Sequence, residues 1–323
     1  MRALLRESDS FRLDARHPEP QPAPQGWALI RPTRIGIGRR DLSHPTPLSP
    51  LPSIVGHEFV GVVESMTGAD ARRLTGRRVV GQPDVACLVC DLCKSGLAAH
   101  CRARRTLGIR DLPGCAAELF TLPAANLVPV PDSLDDDHAV LAQPLAAALH
   151  VARLAQSERG AFITILGDGV LALLIAQALH AAAAAVRVVG WSELRLERCA
   201  RWGVKHRPAR EPVARADQSV VIETSGLAEA RDLALHFLRP RGRLLLPLLD
   251  DSAPSPFDSR LIAEKELDVR GTRGGSVTES VSLLTTRAID VVSLIDRRFP
   301  LSDGSAALAA ASQPDALKVL LTP

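Results

Sequence analysis

Residues 163–177 read ITILGDGVLALLIAQ. The first four suit a short buried strand. Gly167-Asp168-Gly169-Val170-Leu171-Ala172 then matches G-x-G-x-x-A at the passage from strand to helix. Gly167 permits a tight turn, Gly169 lets the backbone approach a pyrophosphate, and Ala172 keeps the helix against the strand. The helix start turns free N–H groups and a positive dipole end toward phosphate. A bare strand-to-helix turn shares this pattern. What favours a dinucleotide is the second strand that follows, "VRVVG", ending at Gly190.

Proteins that bind NAD usually end that second strand on an acidic residue, which holds the ribose hydroxyls. Here Gly190 is followed by Trp191, Ser192 and, three residues on, Arg195. A missing carboxylate removes repulsion of a 2′-phosphate and Arg195 offers a partner, so the expectation leans to NADP. NAD stays open, because Glu193 is near enough to serve the ribose and Arg195 is equally read as a solvated helix residue.

Farther along, "ELRLERCARWG", "QSVVIETSG", "LAEARDLALHFL" and "GRLLLPLL" continue the alternation of helix and strand, the signature of a parallel α/β sheet. Upstream the texture changes. "GWALIRP", "FVGVVES", "RRVVGQ" and "AELFTLP" are short β-like runs set off by Gly and Pro, "PEPQPAP" (Pro18–Pro24) is a loop, and an apolar helical stretch is expected from near Ser133. The expected organisation is a β-rich domain over 1–150, an α/β dinucleotide domain over 151–274 and a mixed, short-stranded segment over 275–323.

"CLVCDLCKSGLAAHC" places Cys87, Cys90, Cys93 and Cys101 within one short stretch. Four thiolates so spaced can surround one tetrahedral Zn2+ in a closed structural site. An iron–sulfur cluster or disulfides are the other readings; neither spacing familiar for clusters matches well. Cys115 and Cys199 stand alone and read as core residues.

The bulk properties exclude several classes. With 323 residues, 46% of them hydrophobic, the chain is long enough for two cores and too apolar for disorder. A net charge of +3, 3% aromatics and no tyrosine leave no stacking platform for nucleic acid. Val170–Val186 is apolar enough to suggest a membrane span, but Gln177 and His180 interrupt it, and a buried helix leading to a strand is expected. The N-terminal residues carry charges throughout and no secretory apolar core. A soluble, cytoplasmic protein without membrane or nucleic-acid partners is expected.

These features together resemble the zinc-containing medium-chain dehydrogenases/reductases, of the alcohol, sorbitol and threonine dehydrogenase type. "GHEFVGVVES" resembles the family's GHE segment, the cysteine lobe at 87–101 has its spacing, and "LAQPLAAALH" is similar to its E-P-L segment. "ILGDGVLALLIAQ" resembles its cofactor loop and "FPLSDGSAALAAASQPDALKVLL" its C-terminal return. The resemblance implies a GroES-like, partly open β-barrel domain with a Rossmann doubly wound parallel sheet. It also implies a homodimer or homotetramer, and hydride transfer between NAD(P) and a small alcohol or carbonyl substrate.

In that family a catalytic zinc takes a cysteine, the GHE histidine and a further acidic or cysteine ligand. Here Gly38 stands at the cysteine position, and Gln143-Pro144 replaces the acidic E-P pattern. His57, Glu58 and Asp41, the last orienting the histidine in the family, are retained. Two readings of His57 are open: a weak catalytic zinc held by His57 and Glu58, or a core histidine bonded to Asp41. Without the metal, Glu58 and Asp41 are costly buried carboxylates, so Arg40 or Arg39 is expected to supply the missing charge and to orient a carbonyl or anionic substrate, the alternative being that both point to solvent. Ser43 and His44 lie near enough in sequence to replace the family's relay hydroxyl. A second function class also stays open, a dinucleotide-binding pseudoenzyme acting as sensor or assembly subunit.

Overall fold

Strands buried on both faces read as continuous apolar runs, whereas strands with one wet face alternate. Both kinds occur, in separate parts of the chain. The computed structural model describes residues 1–8, 10–21, 24–42, 52–156, 160, 162–210, 215–247 and 258–323. They form two compact units: Met1–Gln143 with Val277–Arg287 and Leu294–Pro323, and Pro144–Ser276 with Ala288–Ser293.

The second unit holds the fully apolar runs. Among the described residues its sheet has six parallel strands, in the order Lys205–Pro208, Val186–Gly190, Ile163–Leu166, Gln218–Glu223, Leu238–Leu246 and Asp268–Gly271. Counted along the chain this is 3-2-1-4-5-6, the doubly wound Rossmann order, whose direction reverses beside Ile163–Leu166. Helices Val170–Ala181, Glu193–Arg201, Ala228–Phe237 and Ser259–Glu264 lie between successive strands. The long apolar run ends its helix at Ala181, and the next strand starts at Val186. Among the described residues no helix is long and apolar enough to cross a membrane.

The first unit is antiparallel for the most part. Its seven-stranded sheet runs Leu127–Pro129, Arg78–Gly81, Glu58–Met66, Trp27–Ile37, Lys318–Thr322 and Ile295–Pro300, with Phe120–Pro123 also paired to Trp27–Ile37. Among the described residues the two end strands are not joined, as in the partly open barrel that the resemblance implies. Ile30, Ile35, Phe59, Val63, Val79, Leu122 and Leu321 fill its interior. Phe59 meets Phe120 edge to face, with ring centroids 4.7 Å apart.

One expectation needs correcting. The helical stretch expected from Ser133 starts instead with a short helix at Asp136–Ala139, where the Asp135 carboxylate accepts the His138 N–H at 3.0 Å. A longer helix follows over Ala142–Ala155. Pro144 sits in its first turn, where a missing N–H costs no helical hydrogen bond.

The segment "VGHEF" is gripped by the backbone of residues 115 and 116. Cys115 N–H donates to Gly56 O at 3.0 Å and Ala116 N–H to Val55 O at 2.9 Å. Gly114 allows this approach, since a Cβ there would lie 2.2 Å from Val55 O. Gly114→Ala is therefore expected to destabilise the chain by about 2 kcal/mol, the usual cost of overpacking. Urea unfolding measures it; an unchanged midpoint would show that the loop can retreat freely.

Candidate active site and metal centre

The cysteine lobe gathers its sulfurs through local turns. Cys90 precedes the short helix Asp91–Lys94, which carries Cys93, and the turn Ala98–His100 delivers Cys101. All four sulfurs lie within 4.8 Å of one another. Cys90 to Cys93 is 3.5 Å, and Cys87 to Cys93 and Cys90 to Cys101 are 4.0 Å. Sulfurs about 2.3 Å from one tetrahedral Zn2+ stand roughly 3.8 Å apart, so the cradle fits that ion. N–H groups of Arg102 and Cys93 draw the Cys90 thiol down to about 6, whereas desolvation and the neighbouring thiols push Cys93 up to about 12. Without a cation the cluster cannot ionise fully, and a divalent ion removes that conflict.

At the dinucleotide turn, Gly167 adopts φ +119° and a Cβ there would lie 2.2 Å from Thr224 Oγ1. Gly169 caps the helix Val170–Ala181, and a Cβ there meets nothing within 4 Å. Val170 and Leu171 are the half-buried first residues of that helix. A pyrophosphate thus has open space, free N–H groups and a positive helix end together. Gly190 ends its strand and Ser192 caps the following helix, its Oγ accepting the Arg195 N–H. The Arg195 side chain is engaged as well: its Nη1 donates to Asp168 Oδ1 at 3.1 Å. Asp168 Oδ2 accepts the N–H of Trp191 at 2.6 Å and of Ser192 at 2.7 Å. Glu193 lies exposed and pairs with Arg210.

The remaining residues meet at one end of the barrel sheet. Register brings them there: Gly36 pairs with Glu58 on one side and Leu320 on the other, and Val319 pairs with Ile37. One step beyond, Lys318 comes opposite Gly38. Asp41 lies on the short helix Arg39–Leu42, its Oδ2 accepting Gly38 N–H at 2.8 Å. Its Oδ1 is 2.9 Å from His57 Nδ1. A carboxylate only accepts, so Nδ1 carries the hydrogen and Nε2 is left to exchange a proton. Nε2 faces Glu58 Oε1 at 3.9 Å. Burial alone would depress the imidazole, but Asp41 and Glu58 outweigh it and hold His57 above its ordinary value, with Arg40 opposing. Burial likewise opposes the Asp41 charge, yet His57, Gly38 N–H and Lys318 keep its carboxyl below the usual range.

The cation that answers Glu58 is Lys318. Its Nζ donates to Glu58 Oε2 at 2.7 Å, with the side chains 2% and 6% exposed. The sequence reading gave this charge to Arg39 or Arg40, but both are exposed on their short helix. Lys318 is one of four lysines in the chain and lies inside an apolar strand run, "ALKVLL", which was the available signal. Arg6 also went unread; it donates to the Asp41 backbone carbonyl from a buried position. Ser43 and His44 lie outside the described residues. Gln143 is half-buried at the start of the helix Ala142–Ala155.

Comparisons with known proteins agree with this architecture. Residues 24–132 match the alcohol dehydrogenase GroES-like domain. A zinc-type alcohol dehydrogenase-like protein of Haemophilus influenzae is 30% identical, with 83% of each chain covered. The chain belongs to the zinc-containing medium-chain dehydrogenase/reductase family. Another family member, an L-threonine 3-dehydrogenase of Anaeromyxobacter dehalogenans, is 30% identical over 79% of this chain and 77% of its own. Among solved structures of the family, a zinc-binding dehydrogenase of Sinorhizobium meliloti bound to NADP superposes with TM-score 0.86 at 26% identity, covering 100% and 99% of the two chains. An alcohol dehydrogenase of Thermus gives the same TM-score, identity and coverages. As a family member the chain is an NAD(P)-dependent oxidoreductase.

Lys318→Met would leave Glu58 buried without its cation. Unfolding free energy is expected to fall by about 3 kcal/mol, with part regained in Lys318→Met/Glu58→Gln. Chemical denaturation of both variants checks this; equal stability of Lys318→Met and the native chain would refute it.

Proposed function

We propose that this chain transfers a hydride between NAD(P) and a small polar alcohol or carbonyl compound, with zinc confined to the cysteine lobe. The observation that carries the reading is the open phosphate cradle at Gly169, at the switch point of a 3-2-1-4-5-6 sheet. A nicotinamide dinucleotide held there supplies the redox chemistry itself. Gly167, Asp168, Gly169, Val170 and Leu171 line its approach, with Gly190, Ser192 and Arg195 beside the adenosine end. NADP and NAD both belong to this reading. The relatives are named as dehydrogenases, among them one of L-threonine, and a polar hydroxyl substrate is carried over from those names. No observation favours a role limited to binding.

The residues around His57 do not fit a catalytic zinc. Such a site takes three protein ligands and keeps one position open. Gly38 offers no donor, and a Cβ on it would already lie 3.0 Å from Lys318 Nζ. Gln143 offers a neutral amide, Asp41 is committed to His57 and Gly38, and Lys318 holds one oxygen of Glu58. That leaves His57 Nε2 and Glu58 Oε1, too few for a firm site.

Proton handling by the chain's own groups fits this arrangement better. Asp41 fixes the tautomer, and His57 Nε2 takes or returns the proton of the substrate oxygen. Lys318 donates to Glu58, and Glu58 in turn favours the protonated imidazole. Arg40, exposed on its short helix yet felt by His57, would orient a carbonyl or an anionic group in this reading. We assign the reaction to a homo-oligomer in the cytoplasm, where reducing conditions keep the lobe's thiols available to metal.

Two measurements test the reading. Elemental analysis of protein purified without added metal is expected to give one zinc per chain, lost when Cys90 and Cys93 are both changed to Ser; two per chain would restore metal-assisted chemistry at His57. Gly169→Ser keeps a good helix cap and fills only open space, so stability should change by less than about 0.5 kcal/mol. Dinucleotide binding should weaken about tenfold or more, because the pyrophosphate loses its close approach. Unchanged binding would remove the cradle from the function, and turnover on no alcohol or carbonyl would remove the reaction.

A further inference from the structure

The side chain that usually meets the adenosine ribose leaves the chain at the end of the second parallel strand. In this protein that position is Gly190, yet a carboxylate still occupies the place. A Cβ built on Gly190 would fall 2.7 Å from both Cβ and Oδ2 of Asp168, which reaches over from the glycine turn. There Asp168 closes a small anion nest made by the N–H groups of Trp191 and Ser192 and by the Arg195 guanidinium. Asp168 is buried, and it fills this nest with the chain's own negative charge.

A 2′-phosphate would need those same three donors. It brings up to two negative charges, and close like charges in a half-buried setting repel strongly. A ribose diol needs the opposite, an acceptor for its O–H groups. A carboxylate offers about four lone-pair sites, so with three donors already bonded Asp168 keeps acceptor capacity for a hydroxyl. Among the described residues, the neighbouring acidic side chain Glu193 is 66% exposed and bound to Arg210. Trp191, beside the nest, is 43% exposed and presents a flat apolar face of the kind that takes an adenine ring.

We propose that Asp168 is the residue that discriminates between the two nicotinamide dinucleotides, favouring the one whose ribose is unphosphorylated. The proposal rests on the reading of the Gly167–Ala172 turn as a dinucleotide cradle. It assigns to the turn a task that elsewhere belongs to the strand end, and it makes Arg195 a clamp on Asp168 as long as that carboxylate is present.

The test is the pair of dissociation constants for NADH and NADPH on the full-length protein, read from nucleotide fluorescence. The native chain is expected to bind NADH at least about tenfold more tightly than NADPH. Asp168→Ala frees the nest and should shift the ratio toward NADPH by about tenfold or more. Asp168→Ala/Gly190→Asp returns a carboxylate to the strand end and should restore the native ratio. Asp168→Asn keeps the side-chain volume and removes only the charge, so it should shift the ratio the same way even if the alanine variant folds poorly. NADPH binding as tight as NADH in the native chain would overturn the proposal while leaving the dinucleotide reading intact, as would a ratio unmoved in both single variants. Binding of neither dinucleotide to the native chain would remove that reading and this proposal together.

Discussion

A carboxylate taken out of water must be answered by a cation or give up its charge. Glu58 is such a group, set in the barrel wall at 4% exposure, and Lys318 answers it. The two are 260 residues apart in the chain. They meet because Lys318–Thr322 runs antiparallel to Trp27–Ile37, which in turn pairs with Glu58–Met66. The strand Lys318–Thr322 therefore extends the sheet and supplies a charge at once. His57 and Asp41 are arranged around this pair, and the surroundings of Gly38 follow from it.

The same economy governs the dinucleotide unit. A turn that must be tight places Thr224 against Gly167 and leaves Gly169 open. Its middle residue, Asp168, is then aimed at the end of the neighbouring strand, where the lack of a side chain on Gly190 makes room for it. Steric permission at one glycine and at another thus fixes where a charge is held.

Much of this was legible in the sequence where the signal is local. The strand, glycine turn and helix at 163–181 fall within one window, and the four cysteines declare themselves by spacing. His57 and Asp41 could be paired from the family resemblance. Legibility failed where the partner is distant or where one residue has two claimants. Lys318 belongs to an apolar run whose register no local pattern sets, so its charge was given to Arg39 and Arg40, which are near in sequence and exposed in space. Arg195 reads from sequence either as a phosphate partner or as a solvated helix residue, and nothing in the residue order shows Asp168 turning toward it. Nor does any local pattern show the Ser280 hydroxyl donating to Ala142 O, where the second helix starts.

Cys101 is the one buried residue of the lobe between positions 87 and 101; Leu88, Val89 and Leu97 all face solvent. A segment built this way has no apolar interior to hold it when its thiols are otherwise engaged. Its cohesion is chemical, vested in four sulfurs kept reduced and drawn together. Cys90 and Cys93, 3.5 Å apart, stand close enough to be joined by an oxidant. Oxidative stress would therefore open the lobe at a temperature where the hydrophobic cores of both units still hold.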